Sequence, residues 1–375
     1  MQMSVDPIAL ARDLINCASV TPARGEVFDV LEAALTPLGF TVHRFMLGEP
    51  PDGPTENMVA IRGDGGTHFG FAGHLDVVPP GDGWSTDPFE TVIEDGILSG
   101  RGAVDMKSAI AAFVAAASRV ETSHTTSLLI TGDEEGYATY GTPRIIDWLK
   151  ERSIKPDMIL IGEPTSVDRL GDTVKIGRRG SVNMWIDVPG TQGHVAYPHR
   201  ADNPIPKLAK VVTALEAIHL DDGTDAFPPS NLEFTAVSVP TQASNVIPAT
   251  GTAQLNIRFN NLQRGADLVR MVEEVAEREA PGSTVRARIS GEAFLTPPGR
   301  LYDVIVAAIE EETGITPELS TSGGTSDGRF LIELCPVVDF GLPNATMHKL
   351  DEAAAVEDIH ALTRIYERIL RKVSV

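Results

Sequence analysis

Hydrophobic and polar residues follow two different patterns along this chain, and each pattern predicts its own kind of domain. In the first part, short continuous apolar runs alternate with segments of helical periodicity. Continuous apolar strands are typical of parallel sheets buried on both faces. The predicted strands are FGFAGHLD, SLLITGD and DMILIG, and the predicted helices are 6–16, 25–38, KSAIAAFVAAASRV and PRIIDWLKER. We therefore predict an α/β domain with a central, mostly parallel sheet.

A second pattern of hydrophobic and polar residues begins near residue 179. The segment SVNMWIDV alternates apolar and polar residues with a period of two, which indicates a half-buried strand. Further strands fit 231–239, 251–259 and 283–290, and helices fit 203–218 and 266–279. This β-α-β-β-α-β order predicts a ferredoxin-like module.

After the module, the alternation of apolar strands and helices resumes. A helix fits 301–313, a strand fits VVDFG and a last helix fits 355–373. The α/β domain is thus predicted to be interrupted and then completed. We predict a catalytic domain formed by 1–178 and 293–375, with residues 179–292 inserted as a dimerisation and lid domain.

Composition excludes several classes of protein. A chain of 375 residues with 42% hydrophobic and 22% charged residues suits a globular protein of two domains. Its net charge of −21 argues against a nucleic-acid partner, because the phosphates would be repelled. The amino-terminal segment lacks the basic and apolar regions of a signal peptide, and no apolar run is long enough to span a membrane. We expect a cytoplasmic protein whose two cysteines, Cys17 and Cys335, are buried thiols.

Acidic and histidine residues follow apolar runs at intervals of about thirty residues in the first domain. Ligands gather beyond the carboxyl ends of the strands in an open parallel sheet. A set of carboxylates and imidazoles at that edge predicts a metal-centred hydrolase. The residues of this set are His74, Asp76, Asp105, Glu134, Glu135, Glu163 and the distant His348.

Each of these residues also has a plain structural interpretation. His74 could be a buried histidine beside a solvated Asp76, and Asp105 could cap the helix that begins near Lys107. Glu134 and Glu135 could form a solvated turn, and Glu163, in GEP, could be a helix cap or a loop charge. These interpretations do not explain why acids and histidines alone follow the core strands at one end.

The donor set suits zinc. The two histidines with three of the five carboxylates, and no cysteine, match Zn²⁺ ligands and leave a position for water. One Asp shared by two ions would create a two-metal site with a spacing of about 3.5–4 Å. Such a site activates water and polarises a carbonyl, so the substrate class would be an amide, a peptide or an ester.

A serine hydrolase is the competing interpretation. Residues 324–328 match G-x-S-x-G around Ser326, and Asp339 and His348 follow in the order of an α/β-hydrolase triad. A nucleophile elbow needs an apolar strand before it, and TPELSTSGG is polar. We favour the interpretation that this glycine-rich loop presents backbone N–H groups to a substrate carboxylate.

The motifs GHLDVVP, SGRGAVDMKS, TGDEEG, IGEPT and NATMHK resemble those of the zinc-dependent aminoacylase and exopeptidase family with co-catalytic metals. The similarity covers nearly the whole chain. It implies two Zn²⁺ per subunit, with Co²⁺ or Mn²⁺ able to substitute. In this interpretation Asp105 bridges the metals, His74 and Glu163 complete one site, and Glu135 and His348 complete the other.

The same resemblance implies three catalytic roles. Asp76 would orient His74, and Glu134 would be the general base that deprotonates the attacking water and later protonates the leaving amine. His194, in QGHVAYPH, would enter the active site of a partner subunit and bind the oxyanion, which implies a homodimer through the inserted module. The alternative for His194 is a loop histidine near an exposed turn.

Longer segments, including SGGTSDGRF and GLPNATMHKLDE, narrow the resemblance to the branch that hydrolyses N-succinyl-LL-2,6-diaminopimelate to succinate and LL-2,6-diaminopimelate. An acetylornithine deacetylase-like enzyme or another N-acyl amino acid or dipeptide hydrolase is the alternative. A non-catalytic relative is less favoured, because no ligand and no base is missing from the motifs.

A substrate with several carboxylates needs cations in an otherwise acidic protein. The alternative for Lys175 and Arg178 is a solvated linker, and for Arg258 it is a charge at a strand edge. The resemblance implies substrate-binding roles for Lys175, Arg178, Tyr197, Asn245, Arg258, Ser290, Gly324, Thr325 and Asn344.

Overall fold

The computed structural model describes residues 4–121, 123–240 and 243–374. They divide into two compact units. The first unit contains the residues up to Gly177, the segment Thr296–Ser320 and the residues from Ser326 onward. The second unit contains Arg178–Leu295 and Thr321–Thr325.

Helices and strands alternate along much of the described part of the chain. The helices are α1 (Pro7–Ile15), α2 (Glu26–Leu35), α3 (Lys107–Arg119), α4 (Thr142–Glu151), α5 (Pro204–Glu216), α6 (Gly265–Glu279), α7 (Arg300–Thr313), α8 (Gly328–Leu331) and α9 (Val356–Val373). The strands are β1 (Thr41–Leu47), β2 (Thr55–Arg62), β3 (His68–His74), β4 (Val92–Glu94), β5 (Ile97–Ser99), β6 (Thr125–Thr131), β7 (Met158–Ile161), β8 (Thr173–Lys175), β9 (Gly177–Arg178), β10 (Gly180–Pro189), β11 (Gly193–His194), β12 (Asn231–Ser238), β13 (Val246–Ile247), β14 (Thr250–Phe259), β15 (Thr284–Gly291), β16 (Phe294–Leu295), β17 (Glu318–Ser320), β18 (Val337–Asp339) and β19 (Ala353–Ala355).

The first unit is built on a large mixed sheet with the strand order β1-β2-β6-β3-β7-β18-β8-β17. The neighbouring pairs β6–β3, β3–β7 and β7–β18 are parallel. Strands β1 and β2, which the pattern of apolar runs does not predict, add an antiparallel edge to the sheet. The predicted α/β class with a mostly parallel central sheet is confirmed.

Both faces of this sheet are covered, as the continuous apolar strands predict. Leu128 and Leu160 belong to a core shared with α1, α2, α3, α7 and α9. The adjacent residues Leu129 and Ile161 belong to a second core, shared with α4 and α8. Successive side chains of a strand point to opposite faces, so runs such as SLLIT and MILI supply both cores.

Helix α3 lies in the middle of the first core and is buried from Lys107 to Ser118. Its sequence KSAIAAFVAAASR is rich in alanine, which has the highest helix propensity and little bulk. Phe113 stacks on Phe71 of β3 with ring centroids 4.1 Å apart. The helix is therefore packed against β3, and residues 101–106 lead directly into it.

The second unit has the predicted β-α-β-β-α-β order. Its antiparallel sheet has the strand order β12-β14-β10-β15. One face carries the alternating residues Val182, Met184, Ile186 and Val188, which pack with residues of α5 and α6. The ferredoxin-like arrangement predicted for this region is confirmed. No helix of the described residues is long and apolar enough to cross a membrane.

Candidate metal centre

Three neighbouring parallel strands deliver carboxylates and a histidine to one edge of the large sheet. His74 is the last residue of β3, Glu134 and Glu135 follow β6, and Glu163 follows β7. Because β6, β3 and β7 are adjacent and parallel, their carboxyl ends lie at the same edge. The chain therefore gathers these side chains by the geometry of the sheet itself.

Asp105 and His348 reach the site by another route, which corrects the expectation that every member follows a core strand. Asp105 lies in the segment before α3, and the preceding strand β5 belongs to a small separate sheet. His348 lies in the loop between β18 and β19 and has a left-handed φ of 60°. Asp105 does not cap α3, because the residue at the cap position is Met106.

The imidazole of His74 is buried and its orientation is fixed. Its Nδ1 lies 2.8 Å from the carbonyl oxygen of Asp76, and a carbonyl can only accept, so Nδ1 carries the proton. Its Nε2 faces Asp105 Oδ1 at 3.1 Å and Glu163 Oε1 at 3.7 Å. A neutral ring would turn a lone pair toward these carboxylates. This contact therefore requires either a second proton or a cation.

Asp105 lies between two imidazoles. Its Oδ1 is the neighbour of His74, and its Oδ2 lies 3.3 Å from Nε2 of His348. The same Nε2 is 2.9 Å from Oε1 of Glu135. The carboxylate of Asp105 is thus placed to share its two oxygens between two ligand groups.

The segment that presents Asp105 is held by a residue that the sequence interpretation did not single out. Glu352 is 1% exposed, and its carboxylate accepts the backbone N–H groups of Val104 and Asp105 at 2.8 and 3.0 Å. The only signal in the sequence is its place in the motif HKLDE, where it resembles an ordinary surface acid.

Asp76 contacts His74 through its main chain. Its carbonyl, rather than its carboxylate, is the hydrogen-bond partner of His74, and the carboxylate Oδ1 is 3.6 Å from that ring. The carboxylate instead accepts the backbone N–H groups of Glu134 and Glu135. The chain turns at residue 76, so that the main chain faces the imidazole and the side chain faces the end of β6.

The electrostatics of the cluster indicate a need for positive charge. Burial, followed by the charge of Asp105, raises the pKa of Glu163 well above its ordinary value. Hydrogen bonds with Asp105 and Glu135 raise the pKa of His348 to about 10. Burial alone would lower the pKa of His74, but the hydrogen bond and charge of Asp105 raise it overall. The buried carboxylates therefore favour protonated histidines. Divalent cations bound between the same atoms would take the place of those protons.

The donor atoms form two overlapping groups among the described residues. His74, Glu134 and Glu163 make one group, and His74, Asp105 and Glu135 make the other, with ligand atoms within 4.8 Å of one another in each. Nitrogen and oxygen donors in close groups of this kind fit a pair of divalent metal ions. Geometry alone leaves Glu134 eligible as a ligand as well as a base.

The serine hydrolase interpretation is wrong. Ser326 is completely buried, and its hydroxyl donates directly to Oδ2 of Asp339 at 2.9 Å. A triad needs a histidine between the serine and the acid. His348, the histidine of that interpretation, instead contacts Glu135 and Asp105.

Lys175 and Arg178 are both buried, which overturns the interpretation of a solvated linker. Lys175 ends strand β8 and donates from Nζ to the hydroxyl of Ser320 at 3.1 Å. Arg178 ends strand β9 and donates from Nη1 to the carbonyl of Gly324 at 3.2 Å. A buried cation next to a glycine-rich loop is well suited to an anionic ligand.

His194 is exposed in the second unit, on the short strand β11. Its Nδ1 accepts the backbone N–H of Ala196 at 3.0 Å, so a neutral ring carries its proton on Nε2. Tyr197 is exposed nearby, with its ring centroid 5.8 Å from that of His194. Asn245 is also exposed, and its carbonyl accepts the N–H of Val195.

Arg258 and Ser290 lie on the polar side of the sheet in the second unit. Arg258, on β14, is half-buried, and burial followed by the charge of Arg179 lowers its pKa. Ser290, on β15, accepts a hydrogen bond from the amide of Asn183 at 3.3 Å. The positive charge of Arg179 near Arg258 favours an anion beside Arg258.

The remaining predicted residues lie in loops. Gly324 is exposed and Thr325 is half-buried, in the segment that connects β17 and α8. Asn344 is half-buried, and its backbone N–H donates to the carbonyl of Ser166 at 2.9 Å. Asn344 therefore lies four residues before His348 in a loop anchored to the first unit.

Known proteins with a similar sequence or fold identify the family of this chain. The model of Peptidase family M20/M25/M40 matches residues 70–372. The chain is 63% identical over 375 residues to the succinyl-diaminopimelate desuccinylase of Sphingopyxis alaskensis, with 100% of both chains covered. It is also 63% identical over 370 residues to the succinyl-diaminopimelate desuccinylase of Rhizorhabdus wittichii, with 98% of each covered. Aminopeptidase PepT from Bacillus cereus has the same fold, with a TM-score of 0.79 at 19% identity over 99% of this chain and 100% of that chain.

Proposed function

This chain belongs to peptidase family M20/M25/M40, and from that premise we propose that it hydrolyses N-succinyl-LL-2,6-diaminopimelate to succinate and LL-2,6-diaminopimelate. The substrate follows from 63% identity along the whole chain to a relative named for this reaction. The single observation that carries the chemistry is the carboxylate of Asp105, which lies between the imidazoles of His74 and His348. The protein is a metal-dependent hydrolase that acts on an amide.

Five side chains would hold two divalent cations. Asp105 would be shared, and the other ligands would be His74 and Glu163 on one side and Glu135 and His348 on the other. When bound, the cations would supply Lewis acidity that polarises the amide carbonyl and acidifies the attacking water. We propose Zn²⁺, because nitrogen and carboxylate donors without thiolate suit it, with Co²⁺ or Mn²⁺ able to substitute.

Glu134 would be the general base. It would accept a proton as the water oxygen bonds to the succinyl carbonyl carbon, and would pass that proton to the nitrogen as the C–N bond breaks. Burial, followed by the charge of Asp327, raises the pKa of Glu134 well above its ordinary value. A raised pKa suits this role, because the residue must hold the proton between the two steps.

His194 would donate a hydrogen bond to the oxyanion that forms on the succinyl carbonyl. The proton on Nε2 that its contact with Ala196 implies supports this role. The family resemblance further implies that His194 acts in the active site of a partner subunit, so we propose a homodimer formed through the inserted module. We also propose a cytoplasmic location, which cell fractionation would test.

The substrate carries carboxylates at several positions, and the cations of this chain would select for them. Lys175, Arg178 and Arg258 are the proposed carboxylate partners, because charge-assisted hydrogen bonds are strong when the donor is partly buried. The proposed neutral contacts, which would position the remaining polar groups of the substrate, are Tyr197, Asn245, Ser290, Gly324, Thr325 and Asn344.

Side-by-side kinetics would test the proposal. Purified protein would be assayed on N-succinyl-LL-2,6-diaminopimelate, N-acetylornithine and several dipeptides, with metal content measured on the same sample. We expect the highest kcat/KM on the succinyl substrate and two metal ions per chain. A higher kcat/KM on N-acetylornithine or on a dipeptide would replace the proposed substrate. Hydrolysis by protein that contains no metal would overturn the mechanism.

A further inference from the structure

We infer that Glu352 is a positioning residue that holds the bridging carboxylate of Asp105 in place for the metals. This inference rests on the metal centre of the proposed function. The carboxylate of Glu352 is buried and accepts four hydrogen bonds from the single segment 101–105.

The four contacts divide evenly between the two carboxylate oxygens. Oε1 accepts the backbone N–H groups of Val104 and Asp105 at 2.8 and 3.0 Å. Oε2 accepts the N–H of Gly102 at 3.1 Å and Nη1 of Arg101 at 2.8 Å. Three of the four donors belong to the main chain, so the carboxylate holds the path of the loop that ends at Asp105.

Glu352 also belongs to the loop that presents His348. The residue after it, Ala353, exchanges hydrogen bonds with the hydroxyl of Thr346: its N–H donates at 3.1 Å and its carbonyl accepts at 2.8 Å. The loop is thus closed around His348, whose φ of 60° is a conformation that needs support from its surroundings. The buried side chain of Glu352 therefore connects the segment that carries Asp105 to the loop that carries His348.

This connection has a consequence for metal affinity. The ligands His74, Glu135 and Glu163 are carried by or just after strands of the sheet, so the fold holds them in register. Asp105 and His348 are on loops, and their separation depends on the contacts between those loops. Outer partners that orient metal ligands are typically worth about 10–100-fold in metal affinity or activity.

The alternative is that Glu352 only stabilises the fold, through its buried ion pair with Arg101. The guanidinium of Arg101 also lies over the ring of Trp84. The substitutions Glu352→Gln and Arg101→Met separate the two possibilities. Gln keeps the shape of Glu352 but presents an NH₂ group to backbone donors. Met removes the ion pair and leaves the three backbone N–H groups bound to Glu352.

The test measures Zn²⁺ affinity by competition with a chelator, together with thermal unfolding of the metal-free proteins. We expect Glu352→Gln to weaken Zn²⁺ binding by about 10–100-fold and Arg101→Met to weaken it much less, even if both unfold at lower temperature. Equal losses of affinity in the two variants, or wild-type affinity in Glu352→Gln, would overturn the inference.

The variant Glu352→Asp serves if Glu352→Gln does not fold. It keeps the charge but is one methylene shorter, so it can reach only part of the donor set, and we expect an intermediate Zn²⁺ affinity. Wild-type affinity in Glu352→Asp would then overturn the inference. If the wild-type protein itself binds no Zn²⁺, the proposed function fails, whereas tight binding by wild type and both Glu352 variants removes only the role of Glu352.

Discussion

Both carboxylate oxygens of Asp76 accept the backbone N–H of Glu134, at 3.2 and 3.1 Å. Asp76 is completely buried, and one of its oxygens also accepts the N–H of Glu135 at 3.0 Å. The side chain thus fixes the main chain of the proposed base and of a proposed ligand together. The backbone carbonyl of Asp76 accepts a hydrogen bond from the ring of His74, so this one residue connects the ends of β3 and β6.

Replacing Asp76 by Asn tests this connection. The Asn amide has one oxygen instead of two, and its NH₂ group would face backbone donors. We expect kcat to fall by about 10–100-fold, because the base loses its fixed position. The variant Asp82→Asn, in an exposed loop, is the matched control. A wild-type kcat in Asp76→Asn would contradict the expected role.

The substitution Glu134→Gln separates the base from the ligands. Gln cannot accept and return a proton at neutral pH, so we expect kcat to fall by about 10²–10⁴-fold while both metal ions stay bound. Metal content and kcat are measured on the same preparation, with Glu94→Gln on strand β4 as an exposed control. Loss of metal from Glu134→Gln would show that Glu134 is a ligand, as its group with His74 and Glu163 allows.

Removal of metal should abolish activity and lower the melting temperature. Burial and the charge of Asp105 raise the pKa of Glu135 and of Glu163, so bound cations would stabilise their charged forms, and a ligand that binds only the folded state stabilises that state. We expect exhaustive chelation to remove hydrolysis of the succinyl substrate and added Zn²⁺ or Co²⁺ to restore it. Full activity after verified removal of metal would disprove the metal mechanism.

A His194→Ala variant tests the proposed oxyanion contact. Loss of one preorganised donor typically costs about 10²–10³-fold in kcat, and we expect a decrease of that size. Light scattering should still show a dimer, because His194 is exposed at the end of a short strand. The control is His219→Ala, an exposed histidine that pairs with Asp222 at 3.0 Å. Equal kcat values for the two variants would refute the role of His194.

Ser326→Ala should affect stability more than catalysis. The hydroxyl donates to the buried carboxylate of Asp339, and its loss would leave that oxygen with one partner fewer, at a cost of about 1–3 kcal/mol in the free energy of unfolding. Urea unfolding and steady-state kinetics measure the two effects separately. Complete inactivation with unchanged stability would restore the serine mechanism that the structure argues against.

Much of the fold can be predicted from local pattern alone. The apolar runs SLLIT and MILI are strands with a core on each face, and the period-two segment after residue 179 is a strand of the ferredoxin-like sheet. The helix predicted over 6–16 is α1 (Pro7–Ile15), and Asp6 caps it with Oδ1, which accepts the N–H of Ile8 at 2.9 Å. Strands β1 and β2 escape prediction, because they lie at the edge of the sheet, where β1 pairs with β2 and only β2 pairs with β6.

The sequence by itself determined which side chains follow the core strands, because period and residue type are local properties of the chain. His74, Glu135 and Glu163 meet for that reason. The motif resemblance already implied Asp105 and His348 as ligands, but only the tertiary structure showed that loops present them and that Glu352 connects those loops. Contacts between segments about 250 residues apart depend on the path of the whole chain, which no local period records.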